Sequence, residues 1–181
     1  MSSVLTKTLW KVDPTHTEVQ FKVRHMVIST VTGSFQQFDA AAETEGDSFE
    51  NASIRFSADI DSLSTGQTDR DNHLKSPDFF DAPSHPKLEF VSSSLVHAEG
   101  DQYILTGDLT IRGTTQPVKL EVVYGGIQTD PWGFTRAGFE VSGKISRKSY
   151  GLLWDVVTEA GAVVVSDEVR LLINIELVKQ G

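Results

Sequence analysis

The sequence predicts an all-β fold of antiparallel strands, on three observations. Hydrophobic residues recur with period two through most of the chain, tight-turn compositions separate the alternating runs, and no long apolar helix is present to cover an open sheet. With 181 residues, 39 % hydrophobic and 23 % charged, the chain has the length of one domain and enough apolar material to bury a core. No internal repeat, linker or low-complexity tract divides it, so residues 1–181 are read as a single domain.

Taken in order, the first clear run is TEVQFKVRHMV from Thr17. Val19, Phe21, Val23, His25 and Val27 share one face, and Glu18, Gln20, Lys22 and Arg24 the other, as in a strand with one buried side. A further strand is expected at 33–43. Ile54, Phe56, Ala58 and Ile60 then alternate with Ser53, Arg55, Ser57 and Asp59. Residues 64–86, STGQTDRDNHLKSPDFFDAPSHP, break the rhythm: Thr68 or Asp69 can cap a short helix that buries Leu74 and is stopped by Pro77. Phe79 and Phe80, followed by Asp81 and two prolines, read as an ordered loop anchored by aromatics. Strands are expected again at 87–97, 101–112 and 132–145. Between the last two, Val118, Leu120, Val122 and Tyr124 alternate with Lys119, Glu121 and Val123. Near the end, Val169, Leu171, Ile173, Ile175 and Leu177 share a parity opposite Arg170, Leu172, Asn174 and Glu176.

The turns fall between these runs. Glu45-Gly46-Asp47, Glu99-Gly100-Asp101 and Arg112-Gly113-Thr114 suit hairpins, and Thr129-Asp130-Pro131 is a further tight turn. Sequence neighbours should therefore pair in space, and eight or more short-spaced strands close as a sandwich or a barrel.

Charge and composition exclude several classes. With 25 acidic residues against 16 Lys and Arg, the net charge is −9 and the pI near 4.9, which argues against nucleic-acid backbones and anionic membranes as partners. Having no cysteine, the chain makes no disulfide, thiolate metal site or thiol nucleophile. Neither a signal peptide nor a membrane-spanning apolar run is readable. The expected location is the cytoplasm, or the periplasm if a leader has been trimmed.

Catalytic constellations are weak. The histidines His16, His25, His73, His85 and His97 form neither HxH nor HExxH, and a lone inward histidine such as His25 is more often hydrogen-bonded than ligating, so no metal is expected. GxSxG is absent, and Ser142-Gly143 lies inside an alternating strand. Glu89, Glu121, Glu140 and Glu176 are read as residues of solvated outer faces. Asp39, Glu43, Glu45, Asp47 and Glu50 are interrupted by three alanines and fit an exposed hairpin better than a calcium loop. What remains is an aromatic-rich interior: Phe21, Phe35, Phe38, Phe56, Phe79, Phe80, Phe90, Trp132, Phe134, Phe139 and Trp154. Periodicity alone does not distinguish a filled barrel from one that holds a ligand.

Six strings carry a resemblance. WKVDPTHTEVQFKVRHM at 10–26, TGSF at 32–35, TDRDNHLKSPDFFD at 68–81, LTGDLTIRGTTQPV at 105–118, ISRKSYGL at 145–152 and SDEVRLLINIEL at 166–177 resemble the YceI family of lipocalin-like, polyisoprenoid-binding proteins, in order and spacing. The family pattern W-x-V-D-x-x-H falls on Trp10, Val12, Asp13 and His16, with Thr17 where serine is common; the arginine-histidine loop falls on Arg70, Asp71, His73 and Leu74, and R-x-x-Y-G on Arg147, Tyr150 and Gly151. The resemblance implies a single extended antiparallel barrel with one or two short helices, around 66–76 and 149–154, and an apolar tunnel for an isoprenoid chain.

On that reading the tunnel is lined by Phe21, Val23, Phe35, Phe56, Phe79, Phe80, Phe90, Trp132, Phe139 and Trp154, and the polar candidates for a head group are His25, Arg70, His73 and Arg147. Each polar candidate has a competing structural role, which Asp71 beside Arg70 and His73 makes concrete. Each five-carbon unit offers roughly 3–4 kcal/mol of burial before ordering costs, so a prenyl tail needs no directed contact. The expected function is non-enzymatic binding, storage or transport of a polyprenyl lipid or isoprenoid quinone, with no cofactor beyond that ligand and no nucleic acid. Transient membrane contact and a homodimer are compatible with it. Two alternatives stand beside it: a stress-related enzyme acting on a small amphipathic molecule, with His25 and His73 as acid and base, and a structural module with a filled barrel.

Overall fold

A computed structural model describes residues 6–155 and 165–181. The strands in them are β1 (Lys7–Val12), β2 (Glu18–His25), β3 (Ser29–Phe35), β4 (Phe38–Glu45), β5 (Ser48–Asp59), β6 (Leu63–Ser64), β7 (Lys87–Glu99), β8 (Gln102–Ile111), β9 (Thr114–Thr129), β10 (Thr135–Ser146) and β11 (Val165–Lys179); the helix α1 is Thr68–Lys75. The order β1-β4-β5-β7-β8-β9-β10-β11 is closed by pairing of β1 with β11, which makes an eight-stranded antiparallel barrel. Closure removes the exposed edges that an open sheet of this size would leave.

The second edge of β11 has two partners. Its C-terminal end pairs with β1, Trp10 opposite Lys179, and its longer N-terminal part pairs with β2, Leu171 opposite Phe21. A 3-10 turn, Pro14–His16, separates the two partners and is capped by the Asp13 side chain, which accepts from the Thr15 N–H at 3.0 Å. Beyond β2, the order continues to β3 and β6. The β4–β5, β7–β8 and β9–β10 hairpins lie at one end of the barrel. The β2–β3 and β8–β9 hairpins lie at the other, with α1 and a 3-10 turn at Arg147–Tyr150.

Local chemistry moves several expected boundaries. The strand expected at 33–43 breaks at Gln36 and Gln37, because the Gln36 N–H donates to the Ser62 carbonyl and the Gln37 carbonyl accepts from the Asp59 N–H. The last sheet strand before β11 begins at Thr135 rather than at 132, since the Asp130 carboxylate takes the N–H groups of Trp132 and Phe134, both at 2.9 Å. Helix α1 forms where expected, yet neither Thr68 nor Asp69 caps it: Gln67 is the N-cap and makes no side-chain bond. The helix ends one residue before Ser76, as Pro77 requires. Leu74 is half-buried rather than a core residue. The second turn expected near 149–154 is at Arg147–Tyr150, held by Ser146 Oγ accepting from the Ser149 N–H and ended by Gly151 at φ 81.

One close approach shapes the wall. Phe21 faces Gly33 across the β2–β3 ladder, and a Cβ on Gly33 would collide with the Phe21 ring, so glycine lets the ring lie flat on the neighbouring strand.

Candidate ligand-binding tunnel

The barrel encloses a cavity of about 330 Å³, at the small end of the range for small-molecule sites. At the end bearing the β4–β5 hairpin it is closed by packed aromatic rings. Phe49 lies 5.0 Å from Trp10, 5.6 Å from Tyr124 and 4.8 Å from Phe139, and Tyr103 meets Tyr124 at 6.1 Å. Trp10 is fully buried and its Nε1–H donates to Thr44 Oγ1 at 3.0 Å, so the plug has no unpaired indole.

Above the plug the wall is aliphatic. Leu95, Leu105, Leu120 and Val122 are buried, whereas Val141, Ile145, Val169, Leu171 and Ile173 line the same cavity and are only half-buried. These inward residues pack against the core on one side and keep accessible surface that borders open space on the other. The interior is therefore not filled, unlike the third sequence reading.

The helix end is ringed by a second aromatic group. His73 meets Phe79 at 5.1 Å and Trp154 at 4.7 Å, both edge-to-face; Phe79 meets Trp154 at 5.3 Å; and Phe80 meets Phe35 at 6.3 Å. Among the lining residues Arg24 and His25 are exposed, and both lie at the end of β2. That point is where the tunnel wall meets solvent.

Of the residues the sequence assigned to the tunnel, Phe21, Val23, Phe35, Phe56, Phe79, Phe80, Phe90, Phe139 and Trp154 line it. Trp132 does not. It sits in the β9–β10 turn at the far end and is 79 % exposed, because the Asp130 cap replaces the strand that alternation suggested. All four polar candidates, His25, Arg70, His73 and Arg147, line the cavity at the helix end. Their hydrogen bonds separate them. Arg147 is buried and gives Nε to the Ser166 carbonyl, Nη1 to the Leu152 and Trp154 carbonyls, and Nη2 to the Val165 carbonyl. This geometry makes it a clasp of the tunnel rim, with few donors left for a ligand. Arg70 is tied to Thr65 by Nε and Nη2, and Asp71 receives both the Thr65 N–H and hydroxyl. His73 Nε2 bonds Asp78 Oδ2 at 2.9 Å, and no hydrogen bond described links it to His25.

The lining residues that sequence reasoning missed are mainly the aliphatics of β7 to β11. Their parity was visible, but the aromatic residues drew the assignment. Arg24 and Gln20, of outward parity, also line the cavity, and no alternation signal could have found them. Tyr150 is a further lining residue; its buried hydroxyl has no partner among the described residues, and burial pushes its pKa up to about 12.

A separate charged cluster lies outside the tunnel. Asp13, His16 and Glu176 converge closely enough to hold a cation, yet Arg136 Nη1 stands between them, 2.6 Å from Asp13 and 3.2 Å from Glu176, and its Nε bonds Asp130 at 2.9 Å. A guanidinium already supplies the positive charge there. Glu176 is thus half-buried in an ion network, not a freely solvated outer-face acid. Hydrogen bonds from Thr15 and His16 hold the Asp13 carboxyl well below the usual range, and the bond to Asp13, helped by Glu176, pushes the His16 pKa up.

The model of the YceI-like domain family matches residues 10–177. The chain is 37 % identical over 165 residues to Protein YceI of Escherichia coli O6:H1, covering 91 % of this chain and 83 % of that protein. Among solved structures, Burkholderia cenocepacia BcnA superposes with a TM-score of 0.77 at 24 % identity, covering 91 % of this chain and 98 % of that one. A polyisoprenoid binding domain from Saccharophagus degradans superposes with a TM-score of 0.73 at 14 % identity, covering 94 % and 98 %. Both structural neighbours share the fold of this chain.

Proposed function

The chain belongs to the YceI-like family, and on that premise we propose that it binds a long-chain isoprenoid lipid, a polyprenyl lipid or isoprenoid quinone, in its barrel tunnel and stores or carries it without chemical change. The observation that carries this reading is the unfilled apolar tunnel, plugged by aromatics at one end and reaching solvent at His25. The polyisoprenoid binding named for the Saccharophagus degradans domain, which has the same fold, supports the ligand class.

The physical account needs little directed chemistry. A tail of repeating five-carbon units gains roughly 3–4 kcal/mol per unit from burial, offset by ordering costs. Polar groups are concentrated at the helix end, so the head group lies there, near His25 and His73, and the tail runs toward Phe49. An enzyme using His25 and His73 as acid and base is less well supported, since Asp78 occupies His73 Nε2 and no described bond joins the pair.

The test is native mass spectrometry and solvent extraction of gently purified protein. A stoichiometric prenyl lipid is expected. Repeated recovery of empty protein, with no prenyl alcohol or quinone raising its melting temperature, would reject the proposal.

A further inference from the structure

The β2–β3 hairpin turns on Met26 and Val27, at φ 52 and φ 65, with the Ile28 N–H closing on the His25 carbonyl at 3.2 Å. A β-turn with both central residues at positive φ is the setting for Asn-Gly, and a β-branched residue there is an outlier held at a conformational cost. The β8–β9 turn of the same barrel, Arg112 and Gly113, obeys the rule by using glycine second. Nor does burial explain the β2–β3 tip: Met26 is 39 % exposed, Val27 65 % and Ile28 81 %. Three consecutive apolar side chains therefore project from a strained turn into solvent, and Leu153, 64 % exposed, projects from the same end of the barrel. Strain kept at an exposed site is a pointer to function.

Two further observations identify the partner. First, the tip directly follows Arg24 and His25, the exposed members of the tunnel lining, so whatever receives the tip also meets the tunnel. Second, from Val19 to Phe38 the chain has Lys22 and Arg24 and no acidic residue, within a molecule of net charge −9. Arg170 lies opposite Lys22 on β11; of the two β11 acids beside it, Asp167 is engaged by Ser146 and the Lys148 N–H, and Glu168 by Lys144 and Arg170. A convex apolar tip flanked by cations offers no groove for a protein segment, and it has the form that enters a fluid apolar phase beneath polar head groups.

We propose that the β2–β3 tip is a membrane-entering finger: Met26, Val27 and Ile28 insert among the acyl chains of a phospholipid bilayer, Lys22 and Arg24 lie at the head-group level, and the tunnel opening at His25 is held against the membrane. Its role in lipid exchange rests on the carrier reading above; the membrane contact itself does not.

The test compares the 181-residue chain with its Met26→Asn/Val27→Gly variant by flotation with vesicles of phosphatidylcholine and phosphatidylglycerol. The variant supplies the residues the turn already favours, so its melting temperature should stay level or rise. Wild-type protein should float with the vesicles, and the variant's partitioning should fall roughly tenfold, as loss of the Met26 and Val27 side chains removes transfer free energy. Transfer of a twenty-carbon prenyl alcohol from vesicles to protein should slow in parallel, while its equilibrium binding in detergent-free buffer is unchanged. Wild-type protein that does not float, or a variant that floats equally well, overturns the finger. Flotation lost in the variant with no prenyl binding by either protein keeps the finger and rejects the carrier reading.

Discussion

Nη1 of Arg147 donates to the carbonyl of Trp154 at 2.8 Å, and through this bond a buried cation holds one wall of the tunnel rim. The same guanidinium reaches the Leu152, Val165 and Ser166 carbonyls, so it ties the segment after the Arg147–Tyr150 turn to the start of β11. Burial draws its pKa down, and Asp155 and Asp167 oppose that shift. Lysine can replace the charge but not the planar fork. Arg147→Lys should lose about 2–3 kcal/mol in urea unfolding, as buried carbonyls go unpaired, and tryptophan emission should shift to the red as Trp154 loosens.

Thr44 closes the plug at the opposite end. Its hydroxyl accepts from Trp10 Nε1 and donates to the Gly46 carbonyl at 2.6 Å. Thr44→Val keeps the shape and removes both bonds, leaving a buried indole N–H without a partner. A loss of about 1–3 kcal/mol is expected, a fall in melting temperature of roughly 2–12 °C by calorimetry, while Thr44→Ser stays near wild type.

Ligand capacity should respond to tunnel volume and not to aromatic count. Val141 is half-buried on the inner face and borders the cavity. Val141→Trp should fill the passage and abolish uptake of a prenyl quinone, read by fluorescence quenching, with the circular dichroism spectrum unchanged. Trp132→Ala should leave both uptake and stability within about 0.5 kcal/mol of wild type, because its side chain is in solvent.

The Asp13–His16 cluster predicts a pH window. His16 has a raised folded pKa, so its contribution is full below its unfolded pKa, near 6.5, and is lost as pH rises through the folded value. Asp13 has a lowered folded pKa, so its contribution is full above its unfolded pKa, about 3.9, and is lost as pH falls toward the folded value. Both operate fully between about pH 4 and 6.5. The melting-temperature difference between wild type and His16→Gln, scanned from pH 4 to 9, should be greatest in that interval and shrink as pH rises beyond it.

Much of the barrel wall was legible because strand parity is a local property. Phe21 and Val23 against Lys22, or Leu171 and Ile173 against Arg170 and Leu172, declare their faces within a few residues. The short helix was legible for a similar reason, with Pro77 as its stop. The tip at Met26 and Val27 was not: alternation placed Val27 with the inward set, whereas the chain reverses there through two left-handed residues that nothing in the composition announces.

By itself, then, the sequence determined the antiparallel strands, their buried faces and the tight turns at Gly46, Gly100 and Gly113, all of which follow from interactions among near neighbours. Tertiary structure alone decided what depends on distant residues meeting. Closure needs Trp10 beside Lys179, the rim clasp needs Arg147 beside Val165, and the ion cluster needs Arg136 beside Asp13, 123 residues away in the chain. Whether the interior is packed or hollow belongs to the same class. Inward parity is identical for a residue that touches another side chain and for one that faces empty space, and only the circumference set by the closed ring of eight strands separates the two.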